Sequence, residues 1–331
     1  MKSLPIIDSF GRTHTSIRIG VTDRCNIRCF YCMPETVKFM PQADVLTFEE
    51  IHRLVQVLAK CGVDRIRLTG GEPLVRAQIW KLITMLRSVE GIREIALTTN
   101  GLLLADQAEQ LRSAGLDRLN VSLDTIDPDR FKQITRRKGL DKVLAGIEAA
   151  QAAGFSKIRI NAVSIVGISE TEIVPLARFS REKDLQLRFI EFMPLDGDEA
   201  WQTQQVLSGA KVRQIITEGI GPLVPGKRPN ASQPAIDYSY SDGKGSVGFI
   251  NSVTEPFCGA CDRMRVTAEG KFRNCLFSSV EWDVRDALRG DASDEEIEAI
   301  VRQCVKAKKS GHGTDDGQFH RPEKAMYQIG G

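Results

Sequence analysis

Two groups of cysteines carry the strongest chemical signal in this chain. Cys25, Cys29 and Cys32 follow C-x3-C-x2-C within "VTDRCNIRCFYCMPE". Cys258, Cys261 and Cys275 follow C-x2-C-x13-C within "FCGACDRMRVTAEGKFRNCLF". Thiols clustered in this way suggest metal or redox chemistry rather than disulfides. A structural zinc site usually shows two CxxC-like pairs, or a CxxC with a histidine pair, to fill four positions. The first group has no histidine within ten residues. An iron–sulfur cubane held by three cysteines instead leaves one iron open to a chelating cofactor or a substrate. For the second group, spacing alone leaves open a zinc site completed by His312 or His320. Cys61 and Cys304 stand alone at the end or on the apolar face of helical segments, where free cysteine behaves as a small core residue.

The segments that must position these thiols alternate between two patterns. Runs rich in β-branched residues occupy 16–22, 65–70, 94–100, 118–124, 157–165 and 185–192. Helical periodicity fills most of the intervals. In 47–61, Thr47 and Glu50 form a capping-box pair, Ile51, Leu54, Val55, Leu58 and Ala59 share one face, and Gly62 follows as a C-cap glycine. Asp127 and Pro128 open another helix as N-cap and first-turn proline. Six strands alternating with helices predict an α/β fold of parallel βα units, as a barrel or a doubly wound sheet, with a site at the C-terminal strand ends. Past Leu195 the alternation stops. Residues 221–245 read as loops and short strands, and 293–308 as a helix capped by Ser293 and Glu296. The expected domains are 1–195 and 196–331.

The formal net charge of +2 is too small to imply a nucleic-acid or membrane-surface partner. The first residues lack the apolar core of a signal peptide, and no apolar run reaches the roughly 18 residues that span a bilayer. A cytoplasmic enzyme or binding protein is expected.

The first cysteine motif, placed after the first strand and with Tyr31 before its last cysteine, resembles the radical S-adenosylmethionine superfamily. The resemblance implies that the open iron is chelated by the methionine part of S-adenosylmethionine. One electron then cleaves that cofactor to a 5′-deoxyadenosyl radical. It further implies cofactor contacts from Tyr31, Gly71 in "TGGEP", Ser122 in "VSLD", and Met193. The second motif, together with "RLTGGEPLVR", "LTTNG", "RFIEFMPL", "FCGACDRMRV" and the final "IGG", closely resembles the GTP cyclases that begin molybdenum cofactor biosynthesis.

That resemblance implies a second [4Fe–4S] cluster facing the guanine of GTP, and an incomplete (βα)6 TIM-like barrel closed by a smaller C-terminal domain. It assigns GTP contacts to Arg18, Arg67, Thr98, Arg159, Arg263, Met264 and Arg265. Arg159 stands where the family typically has lysine. Gly330 and Gly331 would enter the active site as a slim tail assisting the chemistry. The implied reaction removes hydrogen from the ribose 3′ carbon and joins that carbon to C8 of guanine. The implied partners are an electron donor such as a flavodoxin or ferredoxin, and the next pathway enzyme, cyclic pyranopterin monophosphate synthase; a homodimer is a candidate assembly. With no glycine-rich P-loop, a nucleotide must be held by side-chain cations and cluster iron. Two alternatives stand beside this reading. One is a peptide-modifying radical enzyme, whose auxiliary clusters generally use more cysteines. The other is a zinc protein binding RNA, opposed by the absence of a basic, aromatic-rich stripe.

Overall fold

The computed structural model describes residues 3–228, 230–311 and 321–330; Gly331, His312 and His320 lie outside the described residues. Twelve strands form one sheet: β1 Ser16–Gly20, β2 Arg65–Thr69, β3 Glu94–Thr99, β4 Arg118–Ser122, β5 Ile158–Ser164, β6 Gln186–Glu191, β7 Leu223–Pro225, β8 Ile236–Tyr240, β9 Ser246–Ile250, β10 Arg263–Val266, β11 Lys271–Arg273 and β12 Trp282–Asp283. The six strands expected from β-branched runs are β1 to β6. They pair in parallel and in chain order, with helices between them.

The later strands join this sheet at both edges. β10 pairs in parallel with β1 and carries β11 and β12 beyond it. β9 pairs in parallel with β6 and carries β8 and β7. The C-terminal residues thus flank the opening of the barrel by extending its own sheet.

Strand alternation separates two faces. Val266, Ile19, Leu68, Leu97, Leu119 and Ile158 stand in register across six adjacent strands, all buried in the main core. One residue earlier, Arg265, Arg18, Arg67, Ala96 and Arg118 form the matching row on the other face. A single phase of side chains therefore makes an apolar layer toward the helices and an arginine belt toward the barrel interior.

The helices begin where their caps dictate. Thr47 and Glu50 close a reciprocal capping box on Phe48–Lys60, and Gly62 beyond it has a φ of +90°. Asp127 accepts from Arg130 N at 2.7 Å to start Pro128–Thr135. Val57 is buried in addition to the expected stripe, because helices Arg285–Arg289 and Asp294–Lys306 also pack on Phe48–Lys60. Among the described residues no helix is long and apolar enough to cross a membrane.

Helix Asp294–Lys306 has a capping box of its own, from Ser293 and Glu296. Ser293→Ala leaves an orphan N–H and is expected to cost about 1 kcal/mol, read as a lower denaturant midpoint with an unchanged slope.

Candidate active site

A cavity of about 420 Å³ occupies the barrel interior, lined by side chains from all six βα strands and from β10. The expected residues Arg18, Tyr31, Arg67, Gly71, Thr98, Ser122, Arg159, Met193, Arg263 and Arg265 all reach its wall, as do Cys25, Cys29 and Cys32.

The first cysteine loop leaves the C-terminal end of β1 and is held mainly by backbone contacts. Gly71 N donates to Thr22 O and Glu72 N to Arg24 O, both at 2.8 Å. A β-carbon on Gly71 would lie 2.4 Å from Arg24 O, so only glycine permits this approach. On its other side the loop is tied to the end of Pro128–Thr135, where Arg28 N and Phe30 N donate to Thr135 O and Ile134 O. The Tyr31 hydroxyl donates to Asp124 at 2.6 Å, and Asp124 also accepts from Val163 N at 2.8 Å. Asn100 reaches Asn26 at 2.7 Å and the Cys25 sulfur at 3.7 Å.

Beneath this loop Glu72 is a fully enclosed acceptor. It receives Leu74 N at 2.9 Å, the Thr99 hydroxyl at 2.7 Å and Asn100 N at 2.6 Å. Burial outweighs those bonds and pushes its carboxyl up to about 7. Burial also raises the Cys25 thiol to about 11 and Cys32 to about 12, with Cys29 well above its usual value. Three thiols, Cys29 buried and Cys25 and Cys32 half-buried, that resist ionisation on their own fit a site where bound iron supplies the compensating positive charge.

The strand directions place the second cysteine group. Cys258 and Cys261 precede β10, which runs parallel to β1, so they lie at the N-terminal end of the barrel strands. Cys275 follows β11, which is antiparallel to β10, and so returns to that same end. The two triads therefore flank the cavity from opposite ends. Phe257, Asp262, Arg263 and Leu276, from the second group's loops, line its lower wall, and the three cysteines are half-buried beside them. At Cys261 burial raises the thiol pKa, but Arg263 and Lys308 prevail and bring it down to about 6. Among the described residues no three His, Cys, Asp or Glu side chains converge on a point that could hold a single metal ion. A cubane distributes its thiolates over separate irons.

Between the triads runs the arginine belt. Arg118 pairs with Glu94 at 2.6 Å, Arg265 donates to the Gly330 carbonyl, and Arg159 in the next row donates to Gln186 at 2.5 Å. Among the described residues Arg18 and Arg67 have no hydrogen bond or ion pair. Burial, then the charges of Arg18, Arg118, Arg159 and Arg188, hold the Arg67 guanidinium well below its usual pKa. Arg188 leaves Nε buried without a hydrogen bond, as does Arg263.

Met264 is not brought into the cavity. It sits between Arg263 and Arg265 on a strand, so alternation turns it to the opposite face, beside Ile17 in the core. Gly330 is buried at the upper ends of β1 and β2, with a φ of +83°; a β-carbon there would lie 2.8 Å from the Thr69 methyl. Sequence reading missed Glu72, Asn100, Asp124, Arg118 and Arg188. For Arg118 a signal existed, since it is in phase with Ser122 on β4.

Residues 19–180 match the Radical SAM superfamily, and 185–314 match Molybdenum Cofactor Synthesis C. A GTP 3′,8-cyclase of Rhodopirellula baltica is 53% identical over 99% of this chain and 92% of its own length. One from Corynebacterium glutamicum is 45% identical over 98% and 89%. Among solved structures, Streptococcus suis SuiB bound to precursor peptide SuiA superposes with a TM-score of 0.62 at 15% identity, covering 89% of this chain and 72% of that one. This last likeness concerns the fold alone.

Glu72 gives a signed pH dependence. Its folded pKa of about 7 stands above the ordinary 4.5, so its contribution to stability is full below about pH 4.5 and is lost as pH rises through 7. The stability of the wild type relative to Glu72→Gln should therefore decline from pH 5 to 8 in anaerobic denaturant titrations. A difference that grows over this range would contradict the assignment.

Proposed function

We propose, from the premise that this chain belongs to the GTP 3′,8-cyclase family of radical S-adenosylmethionine enzymes, that it cyclises GTP to (8S)-3′,8-cyclo-7,8-dihydroguanosine 5′-triphosphate, the first step of molybdenum cofactor biosynthesis. The observation that carries the substrate assignment is the arginine belt between two cysteine triads. Arg18 and Arg67 are inward-facing cations that make no hydrogen bond or ion pair among the described residues, flanked by Arg118, Arg159, Arg188 and Arg265. Like charges opposed across strands repel, and a bound triphosphate removes that repulsion. A peptide substrate would supply no comparable negative charge.

Membership brings S-adenosylmethionine and a [4Fe–4S] cluster, which Cys25, Cys29 and Cys32 would hold. When bound, this pair supplies the carbon radical that takes hydrogen from the ribose. The chain's own residues do the positioning. Gly71 lets the strand-to-helix turn lie against the cysteine loop, and Tyr31, anchored through Asp124, fixes the loop's far side. Ser122 and Met193 complete the upper wall. In this reading Cys258, Cys261 and Cys275 would hold a second cluster, which would supply a binding point for the guanine, while Thr98, Arg159, Arg263 and Arg265 orient the nucleotide. The substrate then spans the cavity with its ribose toward the upper triad, in near-attack geometry. Residues 1–195 would form the radical core barrel, and 196–331 the C-terminal domain that carries the second cysteine triad and the Gly-Gly tail. An electron donor such as a flavodoxin or ferredoxin serves the upper cluster, and the product passes to the next enzyme of the pathway.

The tail belongs to the same reading. Gly330 accepts from Arg265, an arginine of the belt, so its placement is coupled to the substrate cations.

Two measurements test this. Arg67→Met removes an unpaired cation and should weaken GTP binding about 10- to 100-fold, the equivalent of one charge-assisted contact, in anaerobic calorimetry; unchanged affinity would remove the belt from the substrate site. Gly330→Val should abolish cyclised product while S-adenosylmethionine is still cleaved without coupling, and wild-type product formation would exclude the tail from the chemistry.

A further inference from the structure

Lys308 lies two residues past helix Asp294–Lys306 and is 6% exposed. Its ammonium donates to Asn274 O at 2.6 Å and Arg263 O at 3.0 Å, and stands 3.6 Å from the Cys261 sulfur. Asn274 directly precedes Cys275, and Arg263 follows Cys261 by two residues. One side chain thus clasps the two segments that flank the second triad, at the start of β10 and the end of β11, using all three of its donors. The clasp is braced, because Asn274 Nδ2 donates to Cys304 O at 2.8 Å, one turn earlier on the same helix. Among the described residues no carboxylate pairs with Lys308. A buried ammonium needs compensating negative charge, and the Cys261 sulfur, a thiolate when it ligates iron, is the group positioned to give it. Arg263 adds a second cationic donor to that sulfur at 3.3 Å.

We propose that Lys308 is a positioning residue for the second cysteine triad. It fixes the spacing of Cys261 and Cys275 and places positive charge on the Cys261 sulfur, so that a cluster there is held more firmly and reduced more easily. The inference rests on the reading of that triad as an iron–sulfur site. Hydrogen bonds and charge at cluster sulfurs set both affinity and potential. A positive charge stabilises the more negative, reduced state, so its removal must move the midpoint potential in the negative direction.

The test uses the full chain with Cys25, Cys29 and Cys32 changed to alanine, so that any cluster signal belongs to the second triad. After anaerobic reconstitution this background should hold about four irons per chain. If it binds none, the iron–sulfur reading of the triad fails, and the role of Lys308 with it. Into this background go Lys308→Met, which removes the charge, and Lys308→Arg, which keeps it. The expected result for Lys308→Met is iron held about 10- to 100-fold less firmly against a chelator, with a reductive titration followed by electron paramagnetic resonance shifted to more negative potential. Lys308→Arg should restore most of the potential. Wild-type iron retention and potential in Lys308→Met would overturn the proposal. So would a Lys308→Arg potential displaced as far as that of Lys308→Met, since packing alone would then explain both. If Lys308→Met fails to fold by circular dichroism, Lys308→Gln keeps hydrogen bonding without charge and is held to the same outcomes.

Discussion

The structure depends on a row of arginines placed in register across parallel strands. Arg265, Arg18, Arg67 and Arg118 share one level of the sheet, interrupted only by Ala96. Parallel strands in α/β folds are normally buried on both faces and read as continuous apolar runs. Here one face is apolar and the other predominantly cationic, so repulsion among the arginines works against the fold. The helices supply the opposing term. Each arginine of this row is followed in its strand by a fully buried Ile, Leu or Val that packs against them. The hydrophobic layer therefore fixes the phase of every strand, and that phase presses the arginines together.

The pairing of β10 with β1 gives the belt its direction. Because the two are parallel, the loop after β1 and the loop before β10 lie at opposite ends of the sheet. Arg65 bridges Thr15 and Asp262, both at 2.5 Å, which secures the lower end of this pairing. Had β10 entered antiparallel, both cysteine groups would lie at one end, and the cavity between them would not exist. The separation of the two cysteine triads thus rests on one choice of strand polarity.

Much of the barrel was legible in the chain. β1 to β6 fall within the β-branched runs, and Thr47, Asp127 and Ser293 cap the helices where their spacing predicts. These are local signals, written within a few residues of the structure they specify. The course of β9 and β10 was not legible, because nothing near Ser246 or Arg263 states which distant edge each joins. Glu72 and Asp124 were missed for a related reason. An acidic residue after a strand resembles any turn residue until the backbone donors that surround it are in place. Met264 marks the limit of a contiguous motif. "RMR" was read as one binding stretch, whereas strand alternation divides it between cavity and core.

A site crowded with like charge has a thermodynamic consequence. Desolvation and mutual repulsion both work against the protonated forms of Arg18 and Arg67, so the belt opposes folding while the apolar layer behind it favours folding. An anion that binds only the folded state removes this opposition and adds its own binding free energy to stability. The contacts at the upper end point the same way. Gly71 lies against Arg24, Gly330 lies against Thr69, and Arg265 of the belt donates to the carbonyl of Gly330. Charge at the centre is thereby tied to the backbone that closes the upper rim. The repulsion in the belt and the placement of Gly330 above it are coupled through one side chain, Arg265.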